Sequence, residues 1–333
     1  MDEIICNIEV LTPMFLGGAP QMADGKPICE LRSQSIKGVI RYWYRTLIGP
    51  NRLKEENKLF GSSDENIGVS KVKIMISDKS KLLKFNQSKF AENNKYVIKH
   101  KGLNVNPLDY LAYGPVDKRK IVRGAFSPGS VFTLKFLLMS LKDNQKADFY
   151  KALYLMLNFG GLGSRSRKGY GALKLLNENE VFSGHDWFVN GNTAQTLKKI
   201  INNRPPVSPL YSKEYSYLDT DTRFWLSNEI SITWEECLSR LGKDYHTWRQ
   251  VLPVADGREN LGTPLLHGKN GVKDQRRASS YFLTVFKLTD NKYKYGVLHI
   301  PSNYSDNMIP FNVQQEHHVK FQKEIDKTAT REV

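Results

Sequence analysis

Cysteine is scarce in this chain: Cys6, Cys29 and Cys237 are the only three in 333 residues. They lie far apart and form no CxxC pair, which excludes a disulfide framework and a cysteine zinc site. A reduced, intracellular chain is the simplest reading. Long apolar runs are missing too. No stretch approaches the roughly 18 apolar residues of a membrane span. The acidic start MDEIICNIEVLTPMF lacks the basic segment and apolar run of a secretory signal. The expectation is a cytoplasmic protein without membrane attachment. Catalytic signatures are equally sparse. His100, His185, His246, His267, His299, His317 and His318 are scattered. HExxH, GxSxG and the P-loop GxxxxGK[ST] do not occur. No catalytic residue, metal or cofactor is therefore expected.

Acidic residues are few beside the basic ones, 34 Asp plus Glu against 49 Lys plus Arg, a formal charge of +15. That surplus favours a polyanionic partner, whether RNA, DNA or an acidic membrane surface, over an ordinary soluble basic surface. A hydrophobic fraction of 40% with 11% aromatics belongs to a globular chain. Its length suffices for two cores of ordinary size.

Periodicity predicts a strand over Ile4–Phe15, then a loop holding Asp24, which reads as a turn residue rather than a base for RNA 2′-hydroxyl attack. The segment from Ser35 to Ile48 has the apolar spacing of a helix that Gly49–Pro50 ends. Strands are predicted at Val69–Ser77, Ser130–Ser140 and Ala172–Leu176, and a helix at Asp148–Phe159. Residues 78–120 read as a long irregular insertion. The order strand, helix, strand, strand, helix, strand is the βαββαβ pattern of a ferredoxin-like (RRM-like) sandwich, an α+β fold frequent among RNA-binding proteins. Asn177–Pro209 reads as a boundary. Beyond it come a strand near Tyr211–Leu218, a helix at Trp234–Leu252, strands at Tyr281–Leu288 and Tyr293–Ile300, and a helix at Asn312–Thr330. The domains expected are 1–180, carrying the insertion, and 205–333, which admits a second sandwich although no internal repeat is visible.

Three features carry binding chemistry. In GGLGSRSRKGYG (160–171) the glycines, Gly161, Gly163 and Gly169 among them, allow positive φ and close backbone approach. Successive amides there can form an anion-accepting concavity. Arg165, Arg167 and Lys168 add charge, and Ser164 and Ser166 add hydrogen bonds. On the first helix Lys37, Arg41 and Arg45 fall at i, i+4 and i+8, with Arg32 before them and Tyr44 beside them, a basic stripe with an aromatic for base stacking. A solvated helix face is the alternative. Trp43 belongs to the apolar stripe. Arg276 and Arg277, just before a strand, read as a phosphate clamp or as ordinary loop charges.

The segments LTPMFLGG (11–18), ELRSQSIKGVIRYWYR (30–45), KLFGSS (58–63), GGLGSRSRKGYGAL (160–173) and RRAS (276–279) together resemble the RAMP superfamily of CRISPR-associated proteins. Within it they are most similar to the first subunit of the Cmr effector complex of type III-B systems. The resemblance implies two tandem ferredoxin-like domains in a noncatalytic subunit at the head end of a ribonucleoprotein. It implies crRNA, target RNA and other Cmr subunits as partners, with no obligate homo-oligomer. Lys37, Arg41 and Arg45 match the family's basic helix, and Arg165, Arg167 and Lys168 its glycine loop. A metal-independent endoribonuclease of the same superfamily, using His100, is the alternative. A protein–protein adaptor with basic faces is a third reading.

Overall fold

The buried alternation of Ile4, Cys6, Ile8 and Val10 makes Asp2–Val10 the first strand, β1. The computed structural model describes residues 1–23, 26–63, 68–92, 94–100, 102–204, 216–253, 258–262, 278–302 and 311–333. Asp24, Arg276 and Arg277 lie outside the described residues.

The protein is mixed α+β. In the first antiparallel sheet β1 is joined by β2 (Val72–Lys81), β3 (Val131–Leu138) and β4 (Leu173–Leu175), in the spatial order β4-β1-β3-β2. Helix α1 (Ser33–Ile48) follows β1, with α2 (Leu53–Phe60) after it. A five-residue helix in the insertion, α3, spans Pro107–Leu111, and α4 (Asp143–Leu155) follows β3. A second antiparallel sheet holds β5 (Arg223–Ser227), β6 (Tyr281–Lys287), β7 (Tyr293–His299) and β8 (Ala329–Arg331) in the order β8-β5-β7-β6. Each sheet thus places its last strand beside its first and its third beside its second. Two further helices, α5 (Glu178–Phe182) and α6 (Thr193–Asn202), precede β5. Helix α7 (Trp234–Gln250) follows β5, and α8 (Phe311–Ile325) follows β7.

Several expectations are corrected. The predicted strand at 211–218 is absent from its described part, 216–218, while 211–215 lie outside the described residues; the strand of this sheet is β5. The last helix stops at Ile325, and Ala329–Arg331 pairs with β5 as a strand too short to show alternation. Residues 177–204 are not an open boundary, because Phe182, Trp187, Leu197 and Ile200 from this segment are buried in the first core. The same core takes Phe224, Phe282 and Leu298 from the second sheet, so the two sheets share apolar contacts. Helix α4 starts five residues early, its first turn capped where the Gln145 side chain accepts from the Lys142 N–H at 3.1 Å.

The insertion is also more ordered than expected. It forms a hairpin (Ile98–His100 with Leu103–Val105), α3, and a tight hairpin (Val116–Asp117 with Lys120–Ile121). These elements are too short to carry a period, yet Phe90, Tyr96, Ile98, Leu108 and Leu111 are buried. Helix α3 is capped by Asn106, packs on α7, and accepts a 2.8 Å hydrogen bond from the Tyr170 hydroxyl at the Leu108 carbonyl. The insertion therefore joins the glycine loop to the second sheet's helix.

Candidate functional site

The glycine loop leaves α4 through a single π turn, Met156–Gly160, and returns to β4 of the first sheet, touching the second sheet at Leu283 on the way. Its amides are largely engaged within the fold. Those of Gly161, Leu162, Ser164, Lys168, Tyr170 and Gly171 all donate to backbone carbonyls. Gly161 and Gly169 are buried at close approaches: a Cβ at Gly161 would meet the Gly171 carbonyl oxygen at 2.6 Å, and one at Gly169 would meet Leu238 at 2.6 Å. Six amides of the expected phosphate cradle are therefore spent on the fold. These glycines allow tight packing, and the fold takes these six donors. Arg167 is engaged within the fold as well. Its guanidinium lies over the rings of Phe282 and Tyr42, 4.2 and 4.9 Å from their centroids, and donates to the Ser279 carbonyl. It pins the loop to the second sheet, where the Leu283 amide donates to the Arg167 carbonyl at 3.2 Å. Gly163, Ser164 and Ser166 are half-buried, with Ser164 tied to Phe15 through its backbone.

The basic stripe on α1 is real but partly neutralised. Arg41 and Arg45 both clamp the carboxylate of Glu56 on α2, whose side chain is fully buried; Arg45 Nε lies 2.6 Å from Oε2. Arg41 also donates to the Asn57 side chain and the Gly61 carbonyl. Two cations share one carboxylate, and Lys37 adds a third positive charge to the stripe, its ammonium shifted down by burial and by Arg41. Arg32 is exposed and pairs with Glu30 at 3.8 Å. Tyr44 is fully buried and offers no stacking face, which corrects that expectation; Trp43 is core, as its position on the apolar stripe predicts.

The structure gathers a site that the sequence disperses. A cavity of about 570 Å³ opens between the insertion, the glycine loop and α7. Its lining carries six cations, Lys118, Arg119, Arg165, Lys168, Arg249 and Arg258, against two carboxyls, Asp109 and Asp117. Tyr110, Tyr113 and Tyr245 interleave with them. Lys168 donates to the Tyr245 hydroxyl and lies 4.1 Å from its ring centroid, and Arg249 donates to the Tyr110 hydroxyl at 2.6 Å. Burial, with Arg249, Arg165 and Arg167 close by, holds the Lys168 ammonium well below its usual range.

Backbone strain concentrates at the same place. Among the described residues five non-glycine positions have positive φ, and three of them, Lys118 (44°), Arg119 (64°) and Arg165 (67°), line this cavity. Lys118 and Arg119 form the two-residue tip of the tight hairpin, where Asn-Gly would be at ease. Long cations held there at a conformational cost point to a role at the cavity mouth. Of the residues expected from the sequence, only Arg165 and Lys168 belong to this cluster. Tyr110, Tyr113, Tyr245, Arg249 and Arg258 were missed; the signal was faint, because Tyr245 and Arg249 form a lone i, i+4 pair on a helix remote in sequence.

Outside the cavity, Cys6 and Cys237 are free, their thiols pushed up to about 12 by burial, so neither is a poised nucleophile. His100 is exposed on its hairpin, its ring 6.0 Å from that of His246 on α7. Among the described residues no helix is long and apolar enough to cross a membrane.

The family model of the RAMP superfamily matches residues 7–174. The CRISPR system Cmr subunit Cmr1-1 of Pyrococcus furiosus is 31% identical over 282 residues, which span 79% of this chain and 78% of that protein. The crystal structure of Cmr1 from Pyrococcus furiosus in its apo form shares the fold, with a TM-score of 0.63 at 19% identity over 100% of this chain and 99% of that one. A chain of a type III-B Cmr-β cryo-EM structure bound to cognate target RNA gives a TM-score of 0.53 at 14% identity, covering 96% and 99%. The sequence blocks, the paired four-stranded sheets and these matches agree: the chain belongs to the RAMP superfamily and, within it, to the Cmr1 subunits of CRISPR Cmr systems.

Proposed function

We propose that this chain is a noncatalytic RNA-binding subunit at the head end of a type III-B CRISPR effector particle, acting in antiviral defence. There it contacts the 3′ region of crRNA, the captured target RNA, or both. The observation that carries the reading is the cavity where six cations and three tyrosines converge across the two sheets. Cations hold phosphates and tyrosine faces stack bases, while sequence specificity comes from guide–target pairing. The target RNA in the Cmr-β structure of similar fold supports the same partner. Other Cmr subunits complete the assembly, in the cytoplasm, without obligate self-association. The strand order shared by both sheets supports two tandem ferredoxin-like domains, expected at 1–180 and 205–333, with residues 182–200 packed on the first core and the glycine loop of the first touching the second.

The test is binding of a hydroxyl-ended single-stranded RNA by the full chain across a salt series. Lys118→Gln with Arg119→Gln is expected to weaken binding and to make the log–log salt slope shallower by about 1 to 1.5, as two lost phosphate contacts require. An unchanged affinity and slope would sink the assignment of the cavity mouth. One observation favours a second reading, an endoribonuclease that processes guide precursors: His100 and His246 are close enough to serve one phosphodiester. Cleavage of a labelled repeat RNA, abolished in His100→Ala, would select it.

A further inference from the structure

The cations of the cavity fall into two layers. Lys118 and Arg119 are exposed at its mouth, where Tyr113 is 61% exposed. Lys168 and Arg249 lie deeper, against Tyr245, which is 4% exposed, with Leu111 and Leu261 buried beside them. Arg165 spans the layers: its guanidinium lies 5.9 Å from the Tyr113 ring centroid and contributes to the charge around Lys168. Arg258 adds to the charge at Arg249. Among the described residues no carboxylate forms an ion pair with Arg165, Lys168, Arg249 or Arg258. Their near neighbours are each other and tyrosine hydroxyls or rings.

The inner layer also holds polar atoms without partners. The Nε atoms of Arg249 and Arg258 are buried and unbonded. Buried donors left open cost free energy unless an acceptor arrives. Asp109 stands on the outer side of the cavity, where Arg119 and Glu92 are its charged neighbours. Burial pushes its carboxyl up.

Layering of this kind discriminates between ways of filling the cavity. A nucleotide flipped in from the middle of a strand leaves its phosphodiesters outside, at the exposed cations, and sends an uncharged base to the floor. The inner cations would then stay unmatched. A chain end carrying a phosphate monoester delivers its charge to the floor and leaves the adjoining base near Tyr110 and Tyr113. A monoester also presents about 1.5 to 2 charges and three acceptor oxygens, which suits guanidinium groups with unused N–H donors. The volume, about 570 Å³, is that of a small-ligand site.

We infer that the inner layer of this cavity, Lys168, Arg249 and Arg258, is a binding site for the terminal phosphate monoester of an RNA end or nucleotide. The inference rests on the RNA-binding reading and deepens it. The outer cations track the backbone of any RNA, and the inner ones distinguish a phosphorylated end from a hydroxyl end.

The experiment uses the full chain and one internally labelled ten-nucleotide RNA in three forms: 3′-phosphate, 5′-phosphate and hydroxyl at both ends. Binding at one salt concentration is expected to favour one phosphorylated form over the hydroxyl-ended form by about 10- to 100-fold. Which form is favoured identifies the end, and competition by adenosine 3′- or 5′-monophosphate shows whether a free nucleotide enters the same site. In Arg249→Gln the ratio of the two affinities is expected to collapse to about one. Arg258→Gln, at the half-buried end of the cluster, provides the same readout if the first variant folds poorly. Equal binding of all three forms by the parent, or a ratio that survives in both variants, overturns the inference. RNA binding without end preference overturns it alone, whereas no binding of any form overturns the RNA-binding reading as well.

Discussion

Gly171→Ala is expected to destabilise the protein by about 3–5 kcal/mol, a large share of the roughly 5–15 kcal/mol that holds a domain folded. Gly171 has φ +65°, and a Cβ there would fall on the Leu162 carbonyl oxygen, well inside van der Waals contact. The conformation alone costs a residue with a side chain about 1–2 kcal/mol. Relief of the clash requires the two backbone segments to part, and they are stitched together. The Leu162 amide donates to the Gly171 carbonyl at 2.9 Å, and the Gly171 amide donates to Pro13 at 3.1 Å. Next to them the Thr12 hydroxyl donates to the Gly169 carbonyl at 2.7 Å and accepts from the Ala172 amide at 3.0 Å. Each buried bond broken without replacement costs a further 1–3 kcal/mol or so. Two other glycines separate the contributions. Gly129 has φ +80° with nothing within 4 Å of its Cβ position, so Gly129→Ala reads the conformational cost alone. Gly184 has open space and no positive φ, so its alanine variant should sit near the parent. Urea midpoints in the order Gly184→Ala, Gly129→Ala, Gly171→Ala, each lower than the last, are the expected result. A Gly171→Ala protein as stable as the Gly129 variant would mean that the loop is not held by this contact.

Much of the fold was legible because its long elements carry clear periods. Strand β1 alternates between buried Ile4, Cys6, Ile8, Val10 and more exposed neighbours, and β3 alternates along its whole length. Helix α1 repeats Ile36, Ile40, Trp43 and Leu47 at helical spacing, all buried. Illegible were elements whose reason to exist is elsewhere in the chain. Ala329–Arg331 is a strand because Trp225, Leu226 and Ser227 offer it an edge. Helix α3 is five residues long, below what propensity sustains alone, and exists because α7 and Tyr170 cover it. Such elements are fixed by tertiary contact, which no local window contains.

The site was half legible for a related reason. Residue types alone identified the glycine loop as basic and conformationally special, and that is accurate for Arg165. They do not reveal where a cation points. Arg167 and Lys168 are adjacent, yet one pins the loop to Phe282 and the other enters the cavity beside Tyr245. The stripe of Lys37, Arg41 and Arg45 was visible as spacing, but the carboxylate partner of its two arginines, Glu56, comes from the next helix, α2. A charge count therefore overstates the free cations on α1 and understates those around α7, where segments separated by more than a hundred residues converge.

That hidden partner sets the last prediction. Glu56→Gln is expected to cost about 3 kcal/mol at pH 7, the low end of what removing one partner from a buried ion pair costs. The low end applies because Arg41 and Arg45 keep 31% and 36% of their side-chain surface and regain water when the carboxylate is lost. Burial by itself would raise the Glu56 carboxyl, but hydrogen bonds from Arg45 and Arg41 outweigh it and leave the group below its ordinary value of 4.5. A carboxyl lowered by folding binds protons more readily in the unfolded chain, so its stabilisation is fully present above about pH 4.5. It is lost as the pH falls through the depressed folded value. The parent should therefore lose stability on acidification by a component that the glutamine variant lacks, and the gap between their urea midpoints should narrow below about pH 4.5. Urea melts of both proteins at pH 7, 5 and 4 check this. A gap that stays constant from pH 7 to pH 4, or no gap at pH 7, would show that Arg41 and Arg45 do not depend on Glu56 for their place on the basic face.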